Sequence, residues 1–309
     1  MKALLSLLVS AGVLALLWLN LDRGAILAAL SRTDAARLGA SLALLVALVG
    51  LSAFRLTLLA RFAAFRLTGA EAVQATFAAN ALNMVMPGKL GDLLKAVMMT
   101  EGAPARLPGA VALGVWEKLS DLVVLFVVAS LALAILGGAP WLALGLGLAG
   151  GLGILVLVRP GLLAALFRPV PKVHSLTAQW AERLSAIRAV PFGLAILFGI
   201  TALIWSGHLL QIVLMTRALG VTCSATCWVE IVGLLPVAIV AGLLPLTFAG
   251  VGVRDAALVV LLAPLIGAAE AAALGVLFWL RYLVPGALGA PLLPRFLRDL
   301  RRHVAGRRA

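Results

Sequence analysis

Three short stretches set charged residues beside helix-breaking ones inside otherwise apolar sequence, and charge at a broken helix end is one way to hold an anion. The first reads Asn83-Met-Val-Met-Pro87-Gly88-Lys89-Leu-Gly91-Asp92-Leu-Leu-Lys95. Pro87 and Gly88 end one half-helix and the next begins near Gly91, where Asp92 interacts favourably with the positive helix end. Lys89 and Lys95 then flank a place where an anion can bind. The competing reading is a solvated loop with an i, i+3 ion pair between Asp92 and Lys95; the apolar flanks count against it. The second stretch, Trp116-Glu117-Lys118-Leu-Ser-Asp121, opens into the apolar run 122–136. Glu117 and Asp121 share a helix face at i, i+4, and Lys118 can bridge to Asp121 at i, i+3. Each charge at a bilayer centre costs about 2.5 to 3.5 kcal/mol on an insertion scale. The cluster therefore either anchors its helix at the interface or faces a polar cavity. The third is Leu244-Pro245-Leu-Thr-Phe-Ala-Gly250-Val-Gly252-Val-Arg254-Asp255. Here Pro245, Gly250 and Gly252 interrupt an apolar stretch and an Arg-Asp pair opens the next helix, as in ion and headgroup sites built on broken helices. Arg254 can grip a phosphate through two parallel N–H groups, with Asp255 restraining the guanidinium when no ligand is bound. A mutually neutralising pair buried for packing is the alternative. Arg281, beside Tyr282 in the run 277–288, completes the set of candidate cations.

The remaining reactive residues do not assemble into a complete catalytic or metal motif. Ser206-Gly207-His208 is similar to the central Pro-Ser-Gly-His of lipid phosphatases, but Trp205 stands where the proline belongs. The upstream Lys/Arg-Pro and downstream Ser-Arg…His…Asp elements are missing. A rhomboid-like Gly-x-Ser-Gly also fails, since Ile204 occupies the glycine position. His208 with Gln211 reads better as an interhelical hydrogen-bonding pair. Cys223 and Cys227 lie four apart in a short connection, where they play a structural role or form a disulfide if that loop faces an oxidising compartment. His174, His208 and His303 are scattered, so no metal is implied. No cofactor or nucleotide-binding motif is expected, and no catalytic residue.

The elements that must position these groups follow from composition. Of 309 residues, 63% are hydrophobic and only 12% charged, and the mean hydropathy is +1.15. That excludes a soluble enzyme, a disordered tail and a secreted disulfide scaffold, and makes the chain an all-α polytopic integral membrane protein. The formal charge of +13 comes from 25 Lys and Arg against 12 Asp and Glu. With no soluble region large enough for a basic binding face, it speaks for membrane topology and anionic headgroups rather than nucleic acid. Hydrophobic spans are expected at 3–21, 38–60, 119–136, 141–158 and 192–215, with less regular ones at 228–246, 253–266 and 271–293, about seven or eight in all. Arg55, close to the end of the second span, is expected to snorkel to the interface. Residues 71–100 carry Gln74, Asn80, Asn83, Lys89, Asp92 and Lys95 around a Pro-Gly break. Broken backbone at membrane depth is tolerated only inside protein or along a wet cavity, so a re-entrant helical hairpin is expected there.

Lys and Arg counts set the orientation. Arg61 and Arg66, the loop bearing Arg159, Arg168, Lys172, Arg183 and Arg188, and the tail from Arg295 onward belong inside, with 22–37 outside. Both termini are then cytoplasmic. Residues 159–190 form an elbow whose stretch 168–188, with Trp180 and Leu184, reads as an amphipathic helix on the inner surface or as a solvated loop. Asp92 and Lys118 are 26 positions apart, as are Asp255 and Arg281. This spacing suggests an internal repeat, with a first broken-helix half at about 38–136 and a second at about 192–293, in inverted topology, and a binding site between them near mid-membrane. Residues 1–294 form the membrane domain and 295–309 a basic tail. Whether 228–293 crosses three times, or dips once and crosses once, is left open.

Over nearly the whole chain these motifs resemble the membrane domain of the lysylphosphatidylglycerol synthase family, a flippase-like group. That pattern has an Asn, then Pro-Gly-Arg-x-Gly-Glu-x-x-Arg, Glu-Arg-x-x-Asp and Gly-x-Gly-x-Arg-Glu. Here they read Asn83, Pro87-Gly88-Lys89-Leu-Gly91-Asp92-Leu-Leu-Lys95, Glu117-Lys118-Leu-Ser-Asp121 and Gly250-Val-Gly252-Val-Arg254-Asp255. Lys replaces Arg at 89, 95 and 118 and Asp replaces Glu at 92 and 255; Lys cannot make a planar two-point phosphate contact. Family members with synthase activity carry a soluble aminoacyl-transferase domain after the membrane domain. This chain ends at Ala309, so the resemblance implies a stand-alone member without lysine transfer. It implies movement of a lipid or lipid-linked precursor between leaflets of a bacterial inner membrane, the partner being an anionic phospholipid or an isoprenoid lipid such as a hopanoid. Lys89, Lys95, Lys118, Arg254 and Arg281 would bind the substrate. Asp92, Glu117, Asp121 and Asp255 would be counter-charges or proton carriers, and Asn83, Pro87, Gly88, Gly91, Pro245, Gly250 and Gly252 would shape the broken helices. A non-transporting scaffold for a lipid-biosynthesis enzyme and an intramembrane lipid-modifying enzyme are the alternatives, and nothing in the sequence excludes a homo-oligomer.

Overall fold

The computed structural model describes residues 2–84, 86, 90–99, 107–137, 139–242 and 252–305. Lys89, Pro87, Gly88, Pro245 and Gly250 lie outside the described residues. The described chain is helical throughout, in the order α1 (Lys2–Asn20), α2 (Arg23–Ser31), α3 (Ala35–Phe62), α4 (Gly69–Asn83), α5 (Leu90–Met98), α6 (Leu107–Leu136), α7 (Pro140–Val158), α8 (Gly161–Leu166), α9 (Pro171–Ala189), α10 (Gly193–Ala218), α11 (Ala225–Ala241), α12 (Val253–Ile266), α13 (Ala268–Phe278), α14 (Leu280–Gly289), a 3-10 turn (Ala290–Leu292) and α15 (Leu293–Ala305). Among the described residues, five stretches are long and apolar enough to cross a membrane: α3, α6, α7, α10 and the helical run Ala268–Arg301. Pairing α1 with α2, which bend by 94° about their junction, makes a sixth. The hydrophobic segments at 228–246 and 253–266 are, in their described parts, too short to count among these spans. They become α11 and α12, and at 1.5 Å per residue the 14 residues of α12 reach only about 21 Å, short of a hydrocarbon core of about 30 Å.

Local chemistry sets the helix starts. Asp34 accepts from the backbone N–H groups of Ala36 and Arg37 at 2.9 and 3.1 Å to open α3. Thr68 and Glu71 form a capping box at α4, and Ser224 caps α11. Each satisfies N–H groups that the helix itself leaves free. Cys223 and Cys227 form a disulfide across this last start.

The axis of the architecture is the pair α3 and α10. Asp34 N–H donates to Ala218 O at 2.8 Å, Ser41 Oγ to Gln211 O at 3.1 Å, and Arg55 to Thr201 Oγ1 at 3.0 Å. Positions rise along one helix as they fall along the other, so the two are antiparallel. Gln211 makes the interhelical hydrogen bond expected of this stretch, its Nε2 donating to Ser41 Oγ at 3.0 Å across the interface. Because α4 follows the end of α3 and α11 follows the end of α10, the two following helix pairs start from opposite ends of the molecule.

Each pair is a hairpin of half-helices. In the first, Gly91 of α5 lies against the Ala79 carbonyl and Asn83 of α4, leaving no room for a Cβ, and Met98 packs with Ala75 farther back. In the second, Gly242 after α11 meets Arg254 of α12, while Ile231 and Leu235 share a buried cluster with Leu258 and Leu262. The expected hairpin over 71–100 is thus present as α4 and α5, and α11 with α12 repeats it from the other end. Gly286 and Gly289 of α14 sit on Met84 and the Phe77 carbonyl, so backbone contact between α14 and α4 binds the second half to the first.

Two peripheral elements differ from the sequence expectation. In α9, Trp180, Leu184 and Ile187 are buried in the main core, and Trp180 Nε1 donates to Ala112 O of α6 at 3.2 Å. Its apolar face is covered by protein, a distinction invisible in sequence because lipid and helix surfaces are equally apolar. The basic tail begins as α15, whose Phe296 is fully buried with Ala75, Ala78 and Met98. Gln74 Nε2 also donates to Asp299 Oδ2 at 3.2 Å.

Candidate functional site

The ends of the two hairpins, α3, α6, α10 and the α13–α14 junction enclose a cavity of about 190 Å³. Residues from all three charged stretches line it: Asn83, Asp92 and Lys95, then Glu117, Lys118 and Asp121, then Arg254, joined by Arg281. These charges therefore face one shared cavity rather than a solvated loop.

The first side of the cavity is organised by a residue that sequence reasoning misplaced. Arg55, expected to snorkel to the interface, is only 2% exposed. Its Nη1 donates to Asp121 Oδ1 at 2.7 Å and to Thr201 Oγ1 at 3.0 Å, and its Nη2 to Glu117 Oε1 at 3.1 Å. The reason is pairing: two acids on one face of α6 require a cation inside the bundle, since an unpaired buried charge costs several kcal/mol. Lys95 reaches the same Glu117 oxygen at 3.1 Å and Asp92 at 3.6 Å. Lys118 binds Asp92 at 2.7 Å and lies 3.9 Å from Asp121, with its side chain 47% exposed towards the cavity. Its principal partner is thus on α5 rather than on its own helix. Asn83 Nδ2 donates to Asp92 Oδ1 at 3.2 Å, fixing the first turn of α5 to the end of α4. Trp205 Nε1 donates to Asp121 Oδ1 at 3.0 Å. Thr201 and Trp205 were not foreseen as part of this network.

The second side has a different balance. Gly252 adopts φ +90°, and its N–H donates to Asp255 Oδ2 at 3.0 Å, so the acid caps its own helix. The other oxygen, Oδ1, takes Arg254 Nε at 3.0 Å and also Arg254 Nη2. The Arg254 guanidinium stacks 4.7 Å from the Phe278 ring centre, and that of Arg281 lies 4.6 Å from the same ring. Two like charges share one aromatic group, an arrangement the ring quadrupole supports. Among the described residues, Nη1 of Arg254 and Nη1 of Arg281 have no hydrogen-bond partner. Arg281 makes no salt bridge there, so the 26-residue offset that joins Lys118 to Asp92 does not join Arg281 to Asp255.

The arrangement can hold an anion. Both arginines line the cavity, and an oxyanion there would offset their excess charge. Among the described residues no cluster of His, Cys, Asp and Glu is suited to a metal ion. The family profile described as the lysylphosphatidylglycerol synthase TM region matches residues 3–289, spanning the site and every helix from α1 to α14. No curated protein matches the chain.

Proposed function

The chain belongs to the lysylphosphatidylglycerol synthase transmembrane-region family, and from that premise we propose that it carries a membrane lipid between leaflets, holding an anionic headgroup in the charged cavity without chemically changing it. The observation that carries this reading is the pair Arg254 and Arg281, stacked on one Phe278 ring and lining a cavity where two hairpins from opposite ends meet. A headgroup stays in its leaflet because stripping its water is costly. A polar cavity at hairpin depth supplies replacement hydrogen bonds while the hydrocarbon chains remain in lipid. On arrival of a phosphate, Arg254 exchanges part of its contact with Asp255 for the ligand, and Asp255 keeps the Gly252 N–H. Lys95 and Lys118 contribute positive field beside their acid partners. No nucleotide-binding motif is present in the sequence, so the driving force is an ion gradient or downhill flow.

In this reading the protein sits in a bacterial inner membrane. The end bearing Arg61, Arg66, Arg159, Arg168 and Arg188 faces the cytoplasm with both termini. The 94° bend between α1 and α2 and the Cys223–Cys227 disulfide then lie at the opposite end, and the disulfide supports that side as the oxidising one. An anionic phospholipid and an isoprenoid lipid phosphate both supply the required oxyanion. The test is a leaflet-accessibility assay in liposomes with labelled anionic and neutral lipids, comparing wild type with folded Arg254→Ala. Movement of anionic lipid by wild type, with a loss of about tenfold or more in the variant, supports the reading. No movement of any lipid, with or without an imposed proton gradient, refutes it and favours a scaffolding role.

A further inference from the structure

A second void lies on the other side of the Arg254–Asp255 pair. It is an apolar crevice of about 110 Å³ between α1, α12 and α13, lined by Leu17, Val259, Ala272, Gly275 and Val276, with Asp255 at its inner end. Arg254 borders the polar cavity and Asp255 borders the crevice. A single ion pair between adjacent residues therefore separates a cation-rich chamber from a hydrocarbon-lined one. The Asp255 carboxylate is engaged by Gly252 N–H and by Arg254, so it presents no uncompensated charge to an apolar neighbour. At the lip, Trp18, Val276 and Trp279 are exposed, and on a membrane-spanning bundle such a surface meets acyl chains rather than water. The outer wall is lightly held. The main packing partner of α1 is α12, the Ser10 backbone lies directly over Gly252, and Leu8, Leu16 and Leu19 of α1 face outward.

We propose that the crevice binds a hydrocarbon chain of the same lipid whose anionic headgroup occupies the cavity, so that one ligand straddles the Arg254–Asp255 pair and α1 forms the side wall of its path. This rests on the translocase reading and adds where the tail lies. A headgroup held by Arg254 and Arg281 must place its glycerol or isoprenoid attachment within a few bonds of the pair, and the crevice is the adjoining apolar space. The lining is apolar apart from Asp255 and the indole N–H groups of Trp18 and Trp279 at the lip. It selects for chain character rather than for a particular lipid, leaving headgroup charge as the discriminating feature.

The experiment uses the full chain in liposomes with a trace of phosphatidylglycerol bearing a photoactivatable diazirine on one acyl chain, followed by peptide mapping of the adducts. Labelling at Leu17, Val259 and Val276 is expected to exceed labelling at Leu148 and Leu152, which face outward from α7, by about tenfold. It is expected to fall by a similar factor in Arg281→Gln and with a phosphatidylcholine probe, since one charge-assisted contact is worth about that much. Arg281 borders the cavity and not the crevice, so the variant leaves the crevice wall intact. Labelling equal for both probes and unchanged in Arg281→Gln overturns the proposal, because bulk lipid alone then fills the crevice; an unlabelled crevice overturns it as well. Ala272→Trp, and Val276→Trp at the exposed lip as a second blocking variant, are expected to abolish crevice labelling and slow lipid movement. Lipid movement by wild type without headgroup-dependent labelling refutes the crevice and leaves the translocase standing. Headgroup-dependent labelling without movement does the reverse.

Discussion

Around the first hairpin, Arg55, Lys95 and Lys118 face Asp92, Glu117 and Asp121, and every member of that group is in an ion pair. Around the second, Asp255 is the one acid paired with an arginine among the described residues, and it is committed to Arg254 and to its own helix start, with Tyr282 beside both arginines. The backbone plan is the same on both sides: a long helix, two half-helices from one end, then another long helix. The electrostatics are not. A balanced buried network fixes geometry, because removing any one member leaves a partner uncompensated, whereas an unbalanced one lowers its energy by taking up an anion. In the proposed reading the first hairpin is therefore a rigid wall and the second the binding half.

The largest test of that division is Arg55→Ala. It strands Glu117 and Asp121 inside the bundle and is expected to cost about 3 to 5 kcal/mol, read as loss of folded protein or a fall in unfolding free energy in detergent. A cost under about 1 kcal/mol would mean that the first side is not held by its charges. Next is Gly289→Leu, where a side chain must displace the Phe77 carbonyl from α14. It is expected to lose about 1 to 3 kcal/mol by overpacking and to uncouple the halves, so that lipid movement falls more than stability does. Arg281→Gln should reverse the pattern of Arg55→Ala. Transport of anionic lipid falls about tenfold, while stability stays within about 1 kcal/mol, because the variant gives up a cation–π contact and an unpaired charge together. Smallest are the caps. Thr68→Ala at α4 and Ser224→Ala at α11 are each expected to cost about 1 kcal/mol in unfolding. Similar values would show that the hairpins are started alike and differ only in charge.

Much of this site could be read from residue order. Asn83, Gly91 and Asp92, and Gly252 with Arg254 and Asp255, mark broken helices by composition, and the structure brings Asn83, Asp92 and Arg254 to one cavity. Arg55 was misread because distance from the end of a span says where a side chain can reach and not what it must neutralise. The usable sign was on α6, where Glu117 and Asp121 outnumber Lys118 and so require a cation from another helix. Thr201 and Trp205 gave no sign, since a hydroxyl and an indole within an apolar run are common without being functional. The 26-residue spacing does not carry matching partners, because the Gly252 turn directs the Asp255 carboxylate back to its own helix start. The half-helices at 225–241 and 253–266 counted as spans by hydropathy, since burial among neighbours and exposure to lipid select the same residues.

The central claim is that Arg254 and Arg281 form a site for an anionic headgroup. Its most direct test is equilibrium binding of short-chain phosphatidylglycerol and phosphatidylcholine to the detergent-solubilised protein, wild type against Arg281→Gln. The account predicts that wild type prefers the anionic lipid by about tenfold and that the variant binds both alike, one charge-assisted contact having been removed. Equal affinities in wild type, or a preference that survives in the variant, would contradict it.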